Sequence, residues 1–174
     1  MLLDSADQPF VSVKQELEFL ELYLSLENLR IPDLQFSIEK DPKINSEERM
    51  VPNMMLQPYI ENAIWHGLSN KKGNRKLQIR IHENDTTTEF EIEDNGIGRQ
   101  RADEIKKQFK SGHHSKGMQL LSKRFELLSK EYGEAIHTTV VDLHNNGDAT
   151  GTLVKIDVPF ALSEQAKQLV QNEN

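Results

Sequence analysis

The sequence predicts an α+β two-layer sandwich, with helices laid on one face of a sheet. Two observations carry that reading. Hydrophobic periodicity switches along the chain in the order helix, strand, helix, hairpin, polar segment, helix, hairpin, and each strand pattern has one wet face, as a sheet covered on a single side requires. The 174 residues, 36% of them hydrophobic, suit one domain with a sizeable core.

The first helix is marked by Ser12 and Gln15, a capping-box pair, followed by Leu17, Leu20 and Leu24 at helical spacing. A second stripe of Phe19, Tyr23 and Leu26 implies a second packing partner, inside or outside the domain. Pro32 ends this helix, and Leu34, Phe36 and Ile38 alternate with polar residues as a half-buried strand. Pro52 precedes a helix expected over 53–68, bent or loosened in its first turn by Pro58. Leu56, Ile60, Ala63, Ile64 and Gly67 make its apolar face, and Tyr59, Asn62 and His66 share another.

A hairpin follows. Leu77, Ile79 and Ile81 lie on one strand, Phe90 and Ile92 on the other, with the turn near Asn84 and Asp85. The segment 99–116 is polar and Lys-rich, with a short helix expected over 102–109. A further helix carries Leu120, Leu121, Phe125, Leu127 and Leu128 and stops near Gly133. Strands over 136–143 and 153–160 flank the turn Asn145-Asn146-Gly147-Asp148, and the residues after Ala161 read as a polar, fraying tail.

Composition excludes several functions. Without cysteine there are no disulfides or thiolate metal sites, and the histidines show no zinc spacing. No apolar run of eighteen and no leader are visible, so the stretch reads as a soluble, cytosolic piece. The 28 Asp and Glu against 21 Lys and Arg give −7, which argues against direct nucleic-acid binding. That sum hides a local excess. Between Arg99 and Lys130 there are 9 Lys and Arg against 3 Asp and Glu, a place where an anion could be held, although a solvated basic helix face would read the same way.

Three segments bear chemistry. Asp94-Asn95-Gly96-Ile97-Gly98 ends a strand; its glycines permit close approach of a ligand, and Asp94 could accept a hydrogen bond from an exocyclic amine such as that of adenine. Taken alone, it fits an ordinary turn equally well. Asn62 and His66 sit one helical turn apart, and the Asn62 carbonyl oxygen suits a hard cation such as Mg²⁺; alone, a cap or surface pair explains them better. Gly117, in Ser115-Lys116-Gly117-Met118, stands at a helix start where backbone N–H groups can meet phosphate.

In this order the segments resemble the N, G1 and G2 boxes of the GHKL ATPases, and more closely those of LytS-type sensor histidine kinases. The stretch from Met54 to Gly67 is similar to that group's N box, residues 13–30 to the segment before it, and residues 115–132 to the G2 box and its helix. The resemblance implies a Bergerat fold with a mixed sheet and a transferase that binds ATP with Mg²⁺. Asn62 would hold the metal, His66 would lie near phosphates or sugar, and Asp94 would take the adenine amine. Gly96 and Gly98 would shape the loop under the base, and Lys116 and Gly117 would serve a lid over 99–116. Arg124 matches an arginine common in the group.

Departures accompany the match. Trp65 replaces a lysine frequent before the N-box histidine, Ser115 replaces the first G2 glycine, and Met118 replaces a leucine. Pro58 stands where gyrase-like relatives carry a water-activating glutamate, and Glu61 points about 100° away around a helix. None of the six histidines has the Pro-His-Phe context of a phosphoacceptor. The resemblance therefore implies residues 1–31 as a helical connection to absent dimerisation and phosphoacceptor helices, 32–161 as the ATP-binding domain and 162–174 as a tail. It implies a parent that is homodimeric and anchored in a bacterial inner membrane, with a response regulator as partner. The alternatives are a GHKL module that senses nucleotide or binds a partner without kinase activity, and a serine kinase of the anti-sigma-factor type.

Overall fold

The computed structural model describes residues 8–109 and 115–172. Five strands form the main sheet in the order β2-β4-β5-β7-β6: β2 (Leu34–Lys40), β4 (Arg75–Glu83), β5 (Thr87–Asp94), β6 (His137–Asn145) and β7 (Asp148–Pro159). β2 runs parallel to β4 and every other pairing is antiparallel, so the sheet is mixed. A small second sheet pairs β1 (Phe10–Ser12) with β3 (Met50–Pro52).

Strand alternation decides which face is covered. Leu77, Ile79, Ile81, Phe90, Ile92, Ile156 and Val158 are all buried and join one continuous core with α1 (Val13–Arg30) and α4 (Ser115–Tyr132). The opposite face carries cross-strand charge pairs. Arg80 binds Glu91 and Glu93 at 2.9 and 2.6 Å, Lys155 binds Glu91 and Glu89 at 2.5 and 3.3 Å, and His82 meets Glu89 at 2.8 Å. Although His82, Glu89 and Glu91 bring ligand atoms within 4.8 Å of one another, Lys155 and Arg80 already supply their positive charge.

The Ser12–Gln15 capping box forms, and α1 ends at Arg30 with Ile31 as cap. Its buried stripe is Val13, Glu16, Leu20, Leu24 and Glu27, whereas the outer apolar set is Leu22, Leu26 and Leu29. Phe19 and Tyr23 therefore belong with the core, not with an outward stripe.

Four expectations need correction. The helix expected from residue 53 starts at Gln57 as α2 (Gln57–Asn62), which places Pro58 in the first turn, where its missing donor costs nothing. That helix then widens into a π-helical turn, Ala63–Leu68, which periodicity cannot reveal. Leu120 and Leu127 are exposed, so the α4 core face narrows to Leu121, Phe125 and Leu128. The tail is a helix, α5 (Phe160–Asn172), which buries Leu162, Ser163 and Ala166, and the Ser163 hydroxyl accepts the Met50 N–H at 2.8 Å.

The lid-like segment contains α3 (Arg99–Phe109), three residues longer at its start than expected; His113 and His114 lie outside the described residues. Among the described residues no helix is long and apolar enough to cross a membrane.

Candidate functional site

Asp94 is the last residue of β5 and lies at the floor of a cavity of ≈ 290 Å³. Tyr59, Asn62, Ala63, His66 and Gly67 form one wall, from α2 and the π-helical turn. Ile92, Val140 and Val154 line the sheet side, and Met118 comes from α4. Gly98, Arg99 and Ala102 close the end nearest α3.

Asn62, His66, Asp94 and Gly98, from two separate sequence segments, thus meet around one space. Gly96 lies behind Asp94: a Cβ on it would fall 2.5 Å from the Gly67 backbone, so the loop and the π-helical turn can approach this closely only without a side chain. The Ile97 N–H donates to the Gly67 carbonyl at 3.2 Å and joins the two segments directly. Lys116 and Gly117 are not brought together with the others. Both are exposed in the first turn of α4 and neither lines the cavity.

Asp94 is 5% exposed, and burial pushes its carboxyl up from 3.8 to about 6. The Gly96 N–H, which donates to Asp94 Oδ1 at 2.8 Å, pulls in the opposite direction, as do the Lys71 ammonium and a backbone bond from Thr152. A carboxylate acceptor at the end of an apolar slot suits a flat heteroaromatic ring with an exocyclic amine.

On the helical wall, Asn62 offers an amide oxygen. Glu61 does not add to it: its carboxylate accepts from Gln57 Nε2 at 2.8 Å and does not line the cavity. One neutral protein oxygen fits a Mg²⁺ ion that keeps its waters and draws other ligands from phosphate; it would not hold a cation alone.

Other residues were not legible as site residues. Gly67 would place a Cβ 2.8 Å from Asp94 Oδ1, and Gly151, on β7, would place one 1.9 Å from the Asp94 carbonyl oxygen. Lys71 bonds the Asn95 carbonyl. Gly67 stands inside the N-box match, which was a usable signal; the cross-strand pairing of Thr152 with Asp94 had none. Trp65 turns away from the cavity towards α1, where the Arg30 guanidinium lies 5.1 Å from its ring centre. Arg99 is engaged by Asp142 at 2.7 and 2.8 Å, so one charge of the basic stretch is tied to β6.

Known proteins resemble this chain over most of its length. Over 170 residues, 95% of its length, the chain is 30% identical to the sensor protein LytS of Staphylococcus saprophyticus, and over 97 residues it is 36% identical to that of Oceanobacillus iheyensis. The chain is related to the LytS sensor proteins.

Solved histidine kinase structures share the fold of this chain. A mycobacterial sensor histidine kinase, MprB, matches with a TM-score of 0.55 at 16% identity, covering 87% of this chain and 97% of that one. The catalytic domain of histidine kinase ThkA matches at 0.54 and 17%, over 86% and 93%. No protein-family model matches the chain. The domain spans 27% of the S. saprophyticus protein and 16% of the O. iheyensis one, so it corresponds to a minor part of those relatives.

Proposed function

We propose that this chain is the ATP-binding catalytic part of a larger sensor histidine kinase. The observation that supports it is the meeting of Asn62, His66, Asp94 and Gly98 around one cavity. In this reading the Asp94 carboxylate accepts the 6-amino group of adenine, Ile92, Val140, Val154 and Met118 sandwich the base, and Gly96 and Gly98 keep the loop clear beneath it. Asn62 holds Mg²⁺, which supplies charge neutralisation of the phosphates, and His66 orients the phosphate or sugar. Lys116, Gly117 and the rest of the segment 99–116 act as a lid whose positive charge faces the triphosphate.

Phosphoryl transfer needs alignment and charge stabilisation more than a protein nucleophile. The γ-phosphoryl group passes to an imidazole nitrogen on a segment outside this chain, with ADP leaving. Residues 1–31 connect to that segment, residues 32–161 carry the nucleotide site, and a response regulator takes the phosphoryl group in turn. The parent is a homodimer anchored to a membrane.

Trp65 motivates a second reading, a module that binds nucleotide or a partner without transferring phosphate, because it stands where the resemblance implies a lysine and its ring meets Arg30 of α1. Two measurements separate the readings. A thermal titration should show Mg·ATP at about 100 times its Kd stabilising the chain by about 2.7 kcal/mol, an effect removed by Asp94→Ala. With γ-labelled ATP, the chain alone should take up no label and should phosphorylate a histidine-bearing segment of its parent added in trans. Binding without transfer would favour the second reading, and absence of binding would defeat both.

A further inference from the structure

We infer that Glu16 and Arg124 are positioning residues of the nucleotide site, holding from opposite sides the 53–56 backbone from which Asn62 and His66 are suspended. The inference rests on the nucleotide reading given above.

The 53–56 turn cannot hold itself. Met54 sits at φ +55, a conformation that costs a non-glycine residue energy, and Leu56, at the cap position of α2, offers no side-chain oxygen to the first turn. Glu16 supplies what is missing from 40 residues away. Its carboxylate, 2% exposed, accepts the Met54 N–H at 2.9 Å and the Leu56 N–H at 3.0 Å. Burying a carboxylate at this depth is costly unless its oxygens are occupied, so these two bonds fix the turn firmly.

The carbonyl side is held by Arg124. Its guanidinium, half-buried on α4, donates through Nη1 to the Asn53 carbonyl and through Nη2 to the Pro9 carbonyl at 2.7 Å. Pro9 also accepts the Asn53 N–H at 3.1 Å, so one fork joins β1, the turn and α4. The charges of Glu16 and Arg124 attract across the turn.

From this clamp, α2 and the π-helical turn carry Tyr59, Asn62 and His66 to the cavity wall, and α4 carries Met118 to the same cavity. The floor is built differently. Asp94 hangs from β5, which is held by its pairing with β7. Disturbing the clamp therefore displaces Asn62 and His66 more than the strand-held Asp94.

Titrating ATP into the 174-residue chain, once in EDTA and once in excess Mg²⁺, reads the two ends separately. In the unaltered chain Mg²⁺ tightens binding. Glu16→Gln keeps size but exchanges one acceptor oxygen for a donor facing an N–H, and Arg124→Ala removes the donors that join the Asn53 and Pro9 carbonyls to α4. Each should shrink the Mg²⁺-dependent gain at least fivefold while the Kd in EDTA stays within twofold. Arg124→Lys, which keeps charge but cannot fork across two carbonyls, should fall between and decides the matter with Glu16→Gln should Arg124→Ala prove insoluble. A preserved gain in both variants, or parallel loss of both kinds of binding, overturns the inference. Should the unaltered chain bind ATP without any Mg²⁺ gain, the clamp proposal fails and the base site stands. Should it bind no ATP at all, the nucleotide reading itself fails and takes the clamp with it.

Discussion

Burial raises the Asp94 carboxyl from its ordinary 3.8 to about 6, against the pull of the Gly96 N–H and the Lys71 ammonium. At about 1.4 kcal/mol per unit, keeping this group ionised costs the folded chain roughly 3 kcal/mol at alkaline pH. Because the folded value lies above the unfolded one, this share of stability is whole below about pH 4 and is lost as pH rises through about 6. Urea unfolding should therefore show Asp94→Asn more stable than the unaltered chain at pH 8, by about 1 to 3 kcal/mol, with the difference vanishing towards pH 4. Equal pH dependence of the two would contradict the assignment. The same residue was the easiest to find in the sequence, because two glycines follow it within four positions and Asn62 and His66 repeat at one helical turn. Its supporting contacts were not legible. Gly151 and Thr152 reach it only through the register of β5 on β7, which no local pattern encodes.

Among the elements, periodicity located α1, the two hairpins and α4, because each has a long apolar rhythm and a cap or turn signal. It misjudged the two ends of that rhythm. α5 was hidden because its buried side is narrow, Leu162, Ser163 and Ala166, and one of the three is polar. Yet α5 covers β3 through the Ser163–Met50 bond and ties Gln165 to the Tyr132 carbonyl at 3.3 Å. Leu162→Ala, at a fully buried position, should cost about 2 to 4 kcal/mol in urea unfolding, a loss that a fraying tail could not produce. A cost below about 0.5 kcal/mol would return the segment to the status of a tail. The π-helical turn was missed for a different reason. Its wider turn leaves the sequence pattern of Ala63–Leu68 unchanged but brings Gly67 onto the Asp94 loop.

On the scale of the whole molecule, helices cover one sheet face and the charge-paired face stays wet, which lets β5 deliver its last residue to the rim between sheet and helices. The overall −7 conceals the basic stretch of 99–130, and the structure ties part of it down through Arg99 and Asp142 and another part through the Arg124 clamp. What is left for an anion at the described start of α4 is Lys116, which is exposed and does not line the cavity. Calorimetric titration of the chain with Mg·ATP and Mg·GTP tests the account most directly, since the two ligands share their phosphates and differ in the base. An acceptor at Asp94 should bind adenine through its amino group and repel the carbonyl that guanine carries there, so ATP should bind at least tenfold more tightly than GTP, and Asp94→Asn should erase most of the difference. Equal binding of the two nucleotides, or a preference for GTP, would contradict it.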